Sequence, residues 1–305
     1  MKILVTGGTN GMGKGVAKAL AQRDNGSHEI VILGRSRELG QATIDELATT
    51  GRSKSVSFVQ CDLTRLDDVR RAIEEIHREH DFLDGIFVNA GLGYASERVE
   101  TEDGMDPHFQ VNYLSHFMLV LNLLDLMQRS DRGARVVFNV AHVGEIFWDD
   151  LQMKNSWGYE KGIMQAMLAK KMFYGRLHAL QEDAGGPKVS CYGFEISKTV
   201  WSNQLSIIPF FMKTMARLVK LFGGFISIEE CGGIMAPLFT EDAAQSLSRS
   251  GKLITSKGTK LIEKKDQEEA LDRQLQERLW TASLELCDDE ATTRISRELL
   301  ACPCP

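Results

Sequence analysis

The chain has 305 residues, of which 43% are hydrophobic and 26% charged, with a formal net charge of −6. That length can bury a sizeable core, and the composition is that of a water-soluble globular protein. The acidic balance gives no electrostatic footprint for a nucleic-acid partner.

The chain opens directly on an apolar strand, "KILVTGG", which predicts no signal or transit segment. Strands are predicted at 2–6, 29–34, 56–60, 85–88, 134–140 and 188–194. Helical periodicity fills the intervals 11–23, 37–50, 65–79, 105–129 and 157–182. Regular alternation of strand and helix predicts a Rossmann-type doubly wound parallel sheet with helices on both faces. Several of these strands, such as "EIVIL" and "GIFV", are almost wholly apolar, as strands covered on both sides should be. No linker or repeat interrupts the pattern, so residues 1–286 read as one domain and 287–305 as a C-terminal tail. Residues 200–227 are apolar and aromatic, with Lys213, Arg217 and Lys220 at helical spacing. They read as a helical lid over a substrate cleft; a basic amphipathic helix on a membrane surface and a partner interface are the alternatives. Residues 265–286 read as a charged helix with an apolar stripe, packed on the outside.

No apolar run reaches the roughly 18 residues that cross a bilayer. Cysteines stand at 61, 191, 231, 287, 302 and 304 without metal-ligand spacing to a histidine. They read as reduced thiols in a cytoplasmic protein, and no metal site is expected.

The first strand runs into "TGGTNGMGKG". Gly7, Gly11 and Gly13 at a strand–turn–helix junction permit a tight turn and bring backbone N–H groups to a pyrophosphate. The second strand ends "VILGRSR", with Gly34 and Arg35 where an NAD-preferring site carries a carboxylate. A guanidinium there attracts a 2′-phosphate, so the expected cofactor is NADP(H), with Ser36 and Arg37 assisting.

Together these motifs resemble the short-chain dehydrogenase/reductase family over roughly residues 1–285. "TGGTNGMG" is similar to its TGxxxGxG cradle, which implies that Gly7, Thr9, Asn10, Gly11, Met12 and Gly13 hold the dinucleotide. "CDL" implies an adenine contact at Asp62 and Leu63, and "NAG" implies that Asn89, Ala90 and Gly91 line the cofactor. Asn112 in "FQVNYLSHF" matches the active-site asparagine. "GEIFWDDLQ" and "ERLWTAS" look most like the retinol-dehydrogenase-like branch. The family often pairs through the helix carrying its catalytic tyrosine, which implies a homodimer or homotetramer.

The resemblance fails at the other end. The branch's NVSS segment reads "NVAHVG", so Ala141 and His142 replace the serines or the loop is shorter. The tyrosine and lysine of YxxxK fall on Ile163 and Met167. The Pro-Gly turn after strand six is replaced by "YGFEISKTVWSN". Neither Ile163 nor Met167 can transfer a proton, a contribution worth roughly 10²–10⁴-fold. His142 and Tyr159 are the candidate replacements, with Glu145, Asp149, Asp150 and Glu195 nearby. Three readings stand together: an atypical NADP(H)-dependent oxidoreductase of an apolar small molecule, a non-redox isomerase or cyclase, and a non-catalytic dinucleotide sensor or scaffold.

Overall fold

A computed structural model describes residues 1–50, 55–141, 144–186, 188–200, 214 and 224–301. Strands β1 (Lys2–Thr6), β2 (Glu29–Gly34) and β3 (Ser55–Gln60) alternate with helices α1 (Gly11–Gln22), α2 (Arg37–Thr50) and α3 (Leu66–Glu79). Strands β4 (Gly85–Val88), β5 (Arg135–Asn139) and β6 (Ser190–Glu195) continue the sheet. Its order is β3-β2-β1-β4-β5-β6, followed at the β6 edge by β9 (Leu253–Lys257) and β10 (Lys260–Lys264). The order reverses at β1, which pairs in parallel with both β2 and β4 (Ile3 opposite Ile30 and Gly85). A crevice opens beyond the carboxyl ends of the strands at such a reversal.

Alternation along each strand divides the core. Leu4, Val31, Ile86, Val136 and Phe138 face one layer of helices, while Ile3, Val5, Ile32, Phe87 and Val137 face the other. Two sheet strands were not foreseen. Strand β9 (Leu253–Lys257) joins parallel to β6, and β10 (Lys260–Lys264) returns antiparallel through a turn with Gly258 at φ +63°. The sheet is therefore mixed at one edge.

The expected helix over 105–129 is divided. Asp106 caps a short turn α4 (Pro107–Phe109), and a π-helical turn (Gln110–Leu114) follows. Then come α5 (Ser115–Asn122) and α6 (Leu124–Gln128). Asn122 helps divide the last two, its amide donating to Met118 O (2.9 Å) and to Thr292 Oγ1 (2.7 Å). All eight residues of α5 are buried. Helix α7 (Tyr159–Asp183) runs beside it.

Strands β7 (Thr199–Val200) and β8 (Phe225–Ile226) pair in parallel, so the two ends of the expected lid meet. Nearly all of the stretch between, with Lys213, Arg217 and Lys220, lies outside the described residues. Helices α8 (Ile228–Met235), α9 (Pro237–Thr240) and α10 (Ala243–Arg249) lead to β9. The residues expected as an outer helix form α11 (Glu268–Leu271) and α12 (Arg273–Cys287), and α12 is not merely superficial. Its Trp280 is 3% exposed and packs edge-on against Phe117, centroids 5.2 Å apart.

The expected tail from 287 also needs correction. Residues Glu290–Leu300 form helix α13, capped by Asp289. Buried Thr292 and Ser296 sit one turn apart and bring it close to the core, where Ser296 accepts from Trp280 Nε1 at 2.7 Å. Arg70 donates to Asp289 at 2.9 Å. Cys302 and Cys304 lie outside the described residues. Among the described residues, no helix is long and apolar enough to cross a membrane.

Candidate active site

A cleft of about 720 Å³ opens at the carboxyl ends of the strands. Its wall begins with the turn after β1. Gly7 (φ +67°) and Gly11 (φ +52°) hold left-handed backbone that favours glycine. Gly13 faces a different limit: a Cβ there would lie 2.5 Å from Gly7 O and 2.6 Å from Asn89 Nδ2. The turn is tied down from below. Gly7 N donates to Leu33 O (2.8 Å), and Thr6 Oγ1 accepts from Asn89 N and Ala90 N at 2.9 and 3.0 Å.

Arg35 and Ser36 follow β2 on the same wall. Ser36 Oγ accepts from Leu39 N (3.2 Å) at the start of α2. Arg35 is exposed, and among the described residues its guanidinium forms no ion pair. Asp62 accepts from Thr64 N (3.0 Å) and Thr64 Oγ1 (2.8 Å), fixing the turn after β3. The cofactor residues expected from the sequence line this cleft, apart from Gly13, which packs behind it, and Arg37, which donates to Gln60 at 3.3 Å. Asn112 lines it too, but both ends of its side chain hold Leu92: Oδ1 accepts from Leu92 N (2.6 Å) and Nδ2 donates to Leu92 O (3.1 Å).

Beyond the cradle, Val111, Val140, Ala141, Ile163, Met167 and Val200 give the cleft an apolar face, which shares the lining with Asn139, Glu195, Ser197 and Lys198. Tyr159, proposed as a proton donor, is not among the lining residues. It starts α7, its hydroxyl donates to Glu160 (3.0 Å), and its ring sits edge-on to Tyr94. Desolvation, followed by the Glu160 carboxylate, raises its pKa, which opposes ionisation there. His142 lies outside the described residues. Asp150 is occupied in its own loop, accepting from the backbone of Lys154, Asn155 and Ser156. Of the nearby carboxylates, Glu195 lines the cleft; Glu145, Asp149 and Asp150 do not. Glu195 is buried and pairs with Lys264 at 2.7 Å.

Two groups escaped the sequence reading. Asn139, at the end of β5, lines the cleft floor. Its backbone oxygen accepts from Lys170 Nζ at 3.1 Å, a lysine buried beneath that floor. The signal was present: Lys170 falls three residues after Met167, on the same helix face.

With this geometry in place, similarity to known proteins becomes informative. Residues 1–149 match the family model for short chain dehydrogenase. That match, just under half of the chain, makes these residues similar to the short-chain dehydrogenase/reductase family. It is 32% identical over 183 residues to human polyprenol dehydrogenase, covering 58% of this chain and 54% of the relative. It is 29% identical over 173 residues to human retinol dehydrogenase 11, covering 56% and 53%. The chain thus spans about half the length of these curated relatives. In fold it is similar to L-sorbose reductase from Gluconobacter frateurii, solved with NADPH and L-sorbose. The TM-score is 0.61 at 18% identity, covering 84% of this chain and 95% of that one.

Proposed function

We propose that this protein binds NADP(H) in the cleft and acts on an apolar small molecule as an atypical oxidoreductase. One observation carries the reading: a single cleft joins a glycine cradle and Arg35 to an apolar face formed by Ala141, Ile163 and Met167. Gly7, Gly11 and the residues between them would receive the pyrophosphate at the start of α1. Arg35 and Ser36 would receive the 2′-phosphate, and Asp62 and Leu63 the adenine. When bound, NADPH supplies a hydride. Ile163 and Met167 give a transferred hydride no acid partner, so the acceptor must be activated or carry its own proton source. The same side chains orient an apolar substrate and exclude water. The relative named for polyprenol supports an apolar substrate class, and the NADPH-bound neighbour supports the cofactor.

A second reading, a non-redox isomerase or cyclase on the same scaffold, draws on the same apolar face, where no described lining residue is a tyrosine or histidine. A sensor or scaffold would need no such substrate face. A homodimer or homotetramer through α7 would rely on exposed positions such as Met164, because Phe173 and Trp280 bury its other face within the chain.

Fluorescence titration tests the cofactor. NADP(H) should bind more tightly than NAD(H), and Arg35→Ala should weaken NADP(H) roughly 10–100-fold by removing a charge-assisted contact. Equal affinity for the two cofactors in the unaltered protein refutes the assignment. Absorbance at 340 nm then separates the chemistries: stoichiometric loss of NADPH with substrate marks redox, while turnover without it marks the alternative.

A further inference from the structure

Lys170 is the least expected residue near the cleft. It lies inside α7, 1% exposed, three residues after Met167 and seven after Ile163. Helical side chains lean toward the helix N-terminus, so its stem runs back toward the level of Met167. Its Nζ donates to Asn139 O at 3.1 Å, and Asn139 and Met167 both line the cleft. The described residues offer this ammonium no carboxylate. Asp266 on the facing loop is taken by Lys171 (2.8 Å) and Tyr174 (2.7 Å). Glu195 on β6 is paired with Lys264. From α5, His116 faces the same region, its Nε2 3.0 Å from Thr6 Oγ1. Burial, then the charge of Lys170, holds His116 well below the usual histidine range, so it stays neutral at physiological pH.

We propose that Lys170 makes the cleft distinguish oxidised from reduced nicotinamide dinucleotide: its ammonium, beneath the floor at Asn139, opposes the positive charge of the oxidised ring and spares the neutral reduced ring. This rests on the reading that the cleft holds NADP(H) with its nicotinamide at the Met167 end. Burial alone pulls the Lys170 pKa down to about 7. The ammonium is therefore present below neutrality and lost above it. A lysine at 167 would meet the nucleotide directly. Lys170 acts through the floor, as a positioning charge that touches no ligand atom.

The test is the ratio of dissociation constants, NADP⁺ over NADPH, measured by calorimetry from pH 6.5 to 8.5. Taking a ratio cancels the titration of the 2′-phosphate, which both forms carry. The ratio should fall about threefold across this range, part of a limiting change on the order of tenfold, the scale of an interaction between charges about 10 Å apart at an effective dielectric constant near 20. Lys170→Met should hold the ratio flat at its high-pH value. A flat ratio in the unaltered protein overturns the proposal, whether or not the variant folds. A slope that persists in Lys170→Met assigns it to another group and overturns it as well. Failure of both nucleotides to bind overturns the reading of the cleft itself, whereas tight binding with a flat ratio removes only the role of Lys170.

Discussion

Gly13→Ala isolates the packing behind the cofactor cradle. The added methyl would lie 2.5 Å from Gly7 O and 2.6 Å from Asn89 Nδ2. Neither neighbour is the free end of a flexible chain. Gly7 is held at φ +67° with its N–H on Leu33, and Asn89 Nδ2 donates to Thr6 O at 3.0 Å. Overpacking of this kind costs about 1–3 kcal/mol, and a displaced hydrogen bond costs about 1 kcal/mol more. The intrinsic helical gain of alanine over glycine offsets roughly 1 kcal/mol. The net is a loss of about 1–3 kcal/mol, accompanied by weaker nucleotide binding because Gly7 and Asn89 both line the cleft. Gly233→Ala is the internal control. Gly233 is exposed within α8, and a Cβ there meets nothing within 4 Å, so alanine should stabilise by about 0.5–1 kcal/mol. Urea denaturation of the two variants, with nucleotide titration, reads both effects. A Gly13→Ala protein as stable as Gly233→Ala, with unchanged affinity, would refute the packing argument.

Reduction of ordinary ketones and aldehydes, retinal included, should stay near background. Ile163→Tyr with Met167→Lys should not restore it, since Ala141 still stands at the strand end; rapid NADPH consumption by the unaltered protein refutes this. Asp266→Ala removes a carboxylate, 5% exposed, that accepts from Lys171 and Tyr174. A loss of about 3–5 kcal/mol is expected in chemical denaturation, and a change below about 1 kcal/mol contradicts the anchoring role. Lys170 also gives stability a pH dependence. Its pKa is lowered to about 7 in the fold, so above that value the unfolded chain binds more protons. Stability relative to Lys170→Met should therefore rise between pH 7 and pH 10, and melting curves whose difference is pH-independent contradict this.

The strands with uniform apolar runs were legible, because burial on both faces leaves no other pattern. So were the cradle and Arg35, whose chemistry is local to a few adjacent residues. The β9–β10 pair was not: "LITSKGTKLIEK" alternates with charge, as an edge strand does, and reads as polar loop. The break between α5 and α6 falls where Asn122 meets Thr292, a contact 170 residues distant that no local window contains. Helix α13 was misread because its most deeply buried positions are Thr292 and Ser296, with Ile295 and Leu299 only partly buried against the core. Lys170 was passed over because a lysine in a helix is ordinarily solvated. Tyr159 looked plausible because it shares the face of Ile163, but it stands at the first residue of α7, where its ring meets Tyr94 and it does not line the cleft.

The closure of α5 by the last two helices bears on how the chain is made. Tyr113 meets Ser283 and Asn122 meets Thr292, each across 170 residues. At a translation rate of about 5–20 residues per second, that interval lasts on the order of ten to thirty seconds. Throughout it, the apolar surface of Ser115–Asn122 has emerged without its cover. Closing so long a loop is slow, and an uncovered helix of this kind attracts other chains. The nascent polypeptide therefore passes through a prolonged sticky stage that ends only when Trp280 and Thr292 arrive, and chaperone demand during synthesis should track that stage rather than the assembly of the nucleotide cradle.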